Sequence, residues 1–179
     1  MRTLRIALTV AAMMTGVSAT FCADTVAWGP VVNGMRLGIG LGAASSETRL
    51  RVLFQNVGAA KQDLAISEDL DYLSFTVTAP DGKAYQVFDV ILLGAAPGPG
   101  LVIPAPPVFY RLNSGAIHES GFSLKKLICV VDRRDITLET LLQQSYSVRA
   151  HFEVDTTAGS TAPYLWAGKM TTADFHSRK

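Results

Sequence analysis

SYSVRAHFEV, residues 145–154, decides the fold: Tyr146, Val148, Ala150, Phe152 and Val154 alternate without a break with Ser145, Ser147, Arg149, His151 and Glu153. A period of two puts the apolar side chains on one face, so the stretch predicts a half-buried β-strand. One strand cannot hide an apolar face alone. It needs partner strands beside it and a second layer against it.

Just upstream, Leu138, Leu141 and Leu142 recur at helical spacing within residues 136–144 and predict one short helix. Asp132 to Asp135 is a charged turn. Phe122 to Val131 predicts a longer strand, in which Lys125 and Lys126 interrupt the period as a bulge would. Downstream, Asp155 to Ala162 is a polar loop, Tyr164 to Phe175 predicts a final strand, and His176 to Lys179 a frayed basic end.

The N-terminal half supplies further strands. Asn33-Gly34 is a tight-turn signal. Met35, Leu37, Ile39 and Leu41 then alternate with Arg36, Gly38 and Gly40, a strand whose nearly bare outer face admits close approach of another backbone. Leu50, Val52 and Phe54 alternate with Arg49, Arg51 and Gln55, and this strand stops at Asn56-Val57-Gly58. A polar connection from Lys61 to Asp71 leads to Leu73, Phe75 and Val77, and Ala79-Pro80-Asp81-Gly82 turns the chain into a returning strand, Ala84 to Leu93. Val108 to Leu112 is a short strand and Asn113-Ser114-Gly115 a turn. Short strands divided by turns, with no internal repeat, predict one all-β, antiparallel β-sandwich.

With 16 basic against 15 acidic side chains in 179 residues, the formal charge is +1 and no basic cluster stands out. That excludes a nucleic-acid role, which rests on grouped phosphate contacts. A chain of this length buries about two-thirds of its unfolded surface, enough for a core without metals or many disulfides.

Arg2 and Arg5 precede the apolar run from Ile6 to Val17, followed by small residues at Val17-Ser18-Ala19. This is the layout of a secretory signal peptide. The run is well short of the ~20 residues of a spanning helix. Residues 1–23 are therefore expected to be cleaved, after Ala19 or Ala23, leaving a domain over 24–179 in the periplasm or outside the cell, with no membrane span in the mature chain. Phe21 before Cys22 is too bulky for the usual lipidation pattern. If cleavage follows Ala19, Cys22 and Cys129 could pair in an oxidising compartment. If it follows Ala23, Cys129 is a lone small hydrophobe. We expect no disulfide.

The strand ending at Asn56-Val57-Gly58, Phe75-Thr76-Val77 with Pro80-Asp81-Gly82, Leu112 with Ser114-Gly115, the short helix and Tyr146-Ser147-Val148-Arg149-Ala150 together resemble bacterial secreted immunoglobulin-like domains. The same order is similar to the bacterial intracellular proteinase inhibitor family. It departs from that family at Ser114-Gly115, where Pro-Gly is common, and in a long proline-rich connection. The likeness spans Val31 to Val154. The first resemblance implies an immunoglobulin-like antiparallel β-sandwich with one short helical crossover, and the second implies protease inhibition. In such sandwiches a tyrosine following a crossover returns a hydroxyl hydrogen bond to its backbone. Tyr146 is the candidate, with an ordinary core aromatic as the alternative.

Catalytic vocabulary is absent: the chain has no G-x-S-x-G elbow, phosphate-cradling glycine loop, H-E-x-x-H or paired C-x-x-C. His151 and Glu153 share a strand face and could hold a metal with His118 or His176, but that face is expected to be solvated. Glu68, Asp69 and Asp71 lack the spacing of a calcium loop. His118-Glu119 has no nucleophile beside it in sequence. No catalytic, cofactor-binding or metal-binding residue and no cofactor is assigned. Ala95 to Pro107, AAPGPGLVIPAPP, holds five of the eight prolines and cannot be a central strand. Its apolar Leu101, Val102 and Ile103 either cover a sheet edge or dock a partner at small entropic cost. The expected function is a noncatalytic secreted or periplasmic module mediating protein interaction or envelope structure, with an unknown protein partner. The alternative is a protease inhibitor acting through loop 95–107.

Overall fold

Asn33 and Gly34 take φ of 48° and 79°, and Val32 and Met35 exchange backbone hydrogen bonds of 2.7 and 3.0 Å across them. That is the two-residue hairpin turn the Asn-Gly pair predicts, since both positions need positive φ. The computed structural model describes residues 25–44, 47–66, 72–89, 108–154 and 165–177. The expected signal peptide, the acidic group Glu68, Asp69 and Asp71, and the proline-rich loop 95–107 lie outside the described residues.

In chain order the strands are β1 (Ala27–Trp28), β2 (Met35–Ala44), β3 (Glu47–Asn56), β4 (Gln62–Ile66), β5 (Leu73–Thr78) and β6 (Ala84–Asp89). They continue with β7 (Val108–Leu112), β8 (Ile117–Ser123), β9 (Leu127–Val131), β10 (Arg134–Thr137), β11 (Ser147–Val154), β12 (Gly168–Thr171) and β13 (Phe175–His176). The helix α1 (Leu138–Gln143) links β10 to β11, capped by the Thr137 hydroxyl accepting from the Thr140 N–H at 3.3 Å. The described residues are all-β apart from this helix, and their strand pairs are antiparallel.

One sheet runs β1-β2-β3-β8 and the larger one β10-β9-β6-β5-β11-β12, with β13 also on β11; β4 and β7 form a separate ribbon. The organising strand is flanked on both sides, by β5 and by β12 with β13. Between β12 and β13 the edge bulges, and Thr172 fills the gap: its N–H bonds Ala150 O and its hydroxyl accepts the Ala150 N–H, both at 3.0 Å. Phe54 on the smaller sheet meets Phe152 on the larger edge-to-face at 4.9 Å, and Phe75 meets Phe122 at 5.5 Å. Both sheets thus bury their apolar faces in one cluster.

Three expectations need correction. Phe122 to Val131 is not one bulged strand: Leu124 to Lys126 form a turn, and the chain passes from β8 in one sheet to β9 in the other. Two lysines suit an exposed corner better than a buried register shift. The polar connection from Lys61 contains β4, whose Asp63 carboxylate receives a bidentate pair from Arg111 at 2.7 and 2.8 Å, holding Asp63 below the usual carboxylate range. Tyr164 to Phe175 is not a single strand either. Trp166 leaves the ladder to fill the core at 1% exposure, its indole N–H bonding Val32 O at 3.1 Å, before β12 begins.

The bare face of β2 is covered as its glycines predict, by a ring as well as by backbone. A Cβ on Gly38 would stand 2.6 Å from the Trp28 indole, and one on Gly40 3.1 Å from Thr25 O. Arg36 closes the stack, 4.3 Å above the Trp28 ring.

Candidate functional site

Among the described residues an opening beside β8 and another on the outward face of the larger sheet carry polar chemistry. β8 pairs with β3 and is the outer strand of its sheet in the strand order. Its inward residues include His118, Ser120 and Phe122, opposite Phe54, Val52 and Leu50. Ile66, Val108 and Tyr110 share one face of the β4–β7 ribbon and line, with His118, an opening of about 350 Å³. The Tyr110 ring stacks on His118 with centroids 4.0 Å apart, Phe54 lies 6.3 Å away, and Ser120 Oγ is 3.3 Å from His118 Nε2. Adjacent strand residues point to opposite faces, so Glu119 turns away and binds Arg51 in a bidentate pair of 2.8 and 2.7 Å, which holds its pKa low. His118-Glu119 is thus not a working acid–base pair. At the opening Val108 is 45% and Tyr110 36% exposed, while Phe109 and Ile117, 53% and 51% exposed, alternate to the opposite faces of their strands.

The second opening, of about 280 Å³, lies over β5, β6, β11 and β12. His151 forms its floor, Nδ1 3.1 Å from Thr171 Oγ1 and Nε2 3.2 Å from Thr76 Oγ1. Glu153 and Lys169 pair at 2.9 Å on its rim.

No family model, curated protein or solved structure matches the chain. The functional reading therefore rests on these side chains.

Among the described residues no three His, Cys, Asp or Glu side chains gather where a metal could sit. His151 is half-buried with both ring nitrogens on threonine hydroxyls, and is less solvated than its strand alternation implies. His118 is on the other sheet, and His176 pairs with Ser147, four positions along β11, about 13 Å away at ~3.3 Å per residue. Among the described residues, what ties Tyr146 to the crossover is its backbone N–H, bonded to Leu141 O at 3.2 Å. No described helix is long and apolar enough to cross a membrane. The sequence reading missed Val108, Phe109 and Tyr110. Three bulky apolar residues in succession were the available signal, because one side of an exposed ribbon cannot bury them all.

Cys129 is a free, fully buried thiol, and burial pushes its pKa up to about 11. At about pH 8 only about one thiol in a thousand is then the reactive thiolate. In a Cys22→Ser chain, iodoacetamide is expected to alkylate native Cys129 more than ~100-fold slower than the guanidinium-unfolded chain. Equal rates in the two states would contradict the buried position.

Burial lowers the pKa of His118, against the opposing charge of Glu119; burial, Arg149 and Lys169 lower that of His151. Such groups bind protons more readily unfolded, so stability is full above the unfolded value of about 6.5 and is lost as pH falls toward the folded values. The melting temperature is expected to drop between about pH 7 and pH 5. His118→Gln with His151→Gln is expected to flatten that slope, and an unchanged slope would assign the drop to other groups.

Proposed function

We propose that this chain is a noncatalytic, exported immunoglobulin-like β-sandwich module, periplasmic or extracellular, that mediates protein interaction or contributes to envelope structure. Two sheets sharing one apolar core, and a short helix entering the central strand, support the architecture. The observation that carries the interaction reading is the exposed apolar side of the His118 opening, where Val108 and Tyr110 on one face of the ribbon are 45% and 36% exposed. Exposed apolar groups gathered at one opening mark interaction surfaces.

A photo-crosslinking residue placed at Val108 in the producing cell is expected to give a discrete protein adduct that Tyr110→Ser abolishes. A probe at the exposed Asp81 turn is expected to give none. Equal adducts at both positions, or none at either, would remove the reading. Export is tested separately: N-terminal sequencing of the envelope-extracted chain is expected to begin at Thr20 or Asp24, and a chain beginning at Met1 would refute cleavage.

A further inference from the structure

We propose that the depression over His151 is a binding site for a neutral polyhydroxylated ligand, a sugar unit of a glycan. Its volume of about 280 Å³ has room for one or two such rings. Ser74 and Thr76 offer hydroxyls and Gln86 an amide, groups that both donate and accept, as a polyol requires. Tyr72 lines the depression just before β5, with its ring turned against the buried Phe152 at 6.5 Å.

Charge decides against the alternatives. Lys169, the cation lining the depression, is paired with Glu153, and nearby Arg149 is held by Asp174 at 3.1 and 2.6 Å. Among the described residues an anion therefore meets no unneutralised cation at this site, and a cation no unneutralised carboxylate. His151, bonded to two hydroxyls, serves as a floor that fixes Thr76 and Thr171 and not as a base.

The probes are glucose, galactose, mannose and N-acetylglucosamine in NMR titration of the purified chain, with an array of neutral oligosaccharides to find longer ligands. Saturable shifts are expected at His151, Thr76 and Gln86, with Kd on the order of 1 mM for a single unit. Ser74→Ala with Gln86→Ala touches exposed side chains and is expected to weaken binding at least ~10-fold while leaving the melting temperature unchanged. Absence of saturation with every neutral probe overturns the proposal. So does binding that survives the double substitution, or a preference for sulfated sugars or peptides at these residues. Loss of the Val108 crosslink has no bearing on this outcome, because the two surfaces share no residues.

Discussion

Phe152→Ala is expected to destabilise the chain by about 3–5 kcal/mol, the range for an aromatic removed from a fixed core. The ring is 1% exposed and sits where the layers meet: edge-on to Phe54 at 4.9 Å, with Trp166 at 5.7 Å and Tyr72 at 6.5 Å. Its strand is held on both edges, so neighbours cannot collapse into the vacated space without breaking a ladder. Against a typical total of 5–15 kcal/mol, the loss leaves a marginal protein. Urea unfolding measures it as a lower midpoint at nearly constant slope. Phe88→Ala, removing a 42% exposed ring, is the control, with a cost of about 0.5 kcal/mol. A double-mutant cycle with Phe54→Ala is expected to return a coupling of about 0.5–1.5 kcal/mol. Zero coupling would mean that the sheets do not meet through these rings.

The same alternation that buries Phe152 made most of the fold legible. Period-two runs at Met35 to Leu41, Leu50 to Phe54, Leu73 to Val77 and Val148 to Val154 became strands with their apolar members inward, while the expected start of the last run falls short: Ser145 turns at a φ of 67° and Tyr146 precedes the strand. Asn33-Gly34 and Pro80-Asp81-Gly82 became turns because their backbone angles are local properties. Illegible features were those set by distant partners. β4 was hidden because Asp63 looks polar until Arg111 arrives from 48 residues away. The corner at Lys125-Lys126 has the composition of a bulge, and only the sheets on either side distinguish the two. The sites were less legible still. His151 and Glu153 were visible as a pair, but Gln86, Lys169 and Tyr72 join them only through strand order. The Tyr110–His118 stack likewise depends on a ribbon that no periodicity announces.

Asn56→Leu is expected to cost about 2–4 kcal/mol although it adds apolar volume to an apolar neighbourhood. Asn56 is 0% exposed, and its side chain is fully used. Nδ2 donates to Ala60 O at 2.8 Å and Leu112 O at 2.9 Å, and Oδ1 accepts from Gly58 N at 3.0 Å. Its main chain adds bonds to Ala116 O and from Gly115 N. One residue thus joins the end of β3, the turn after it and the β7–β8 connection, whose two strands border the His118 opening. Leucine removes all three side-chain bonds and leaves two carbonyls and an N–H without that partner, so desolvation dominates the result. Asn56→Asp separates the donors from the acceptor. Its carboxylate keeps the Gly58 N–H but faces two carbonyl oxygens, which raises its folded pKa above the unfolded value of about 3.9. Stability of that variant is then best below the unfolded value and is lost as pH rises through the folded one, opposite in sign to the histidine effect. Urea midpoints near pH 4 and pH 7 are expected to diverge for Asn56→Asp and to keep the same offset for Asn56→Leu. A leucine variant as stable as the parent would show that the carbonyls find other partners, and that the β7–β8 connection is not held to β3 through this side chain.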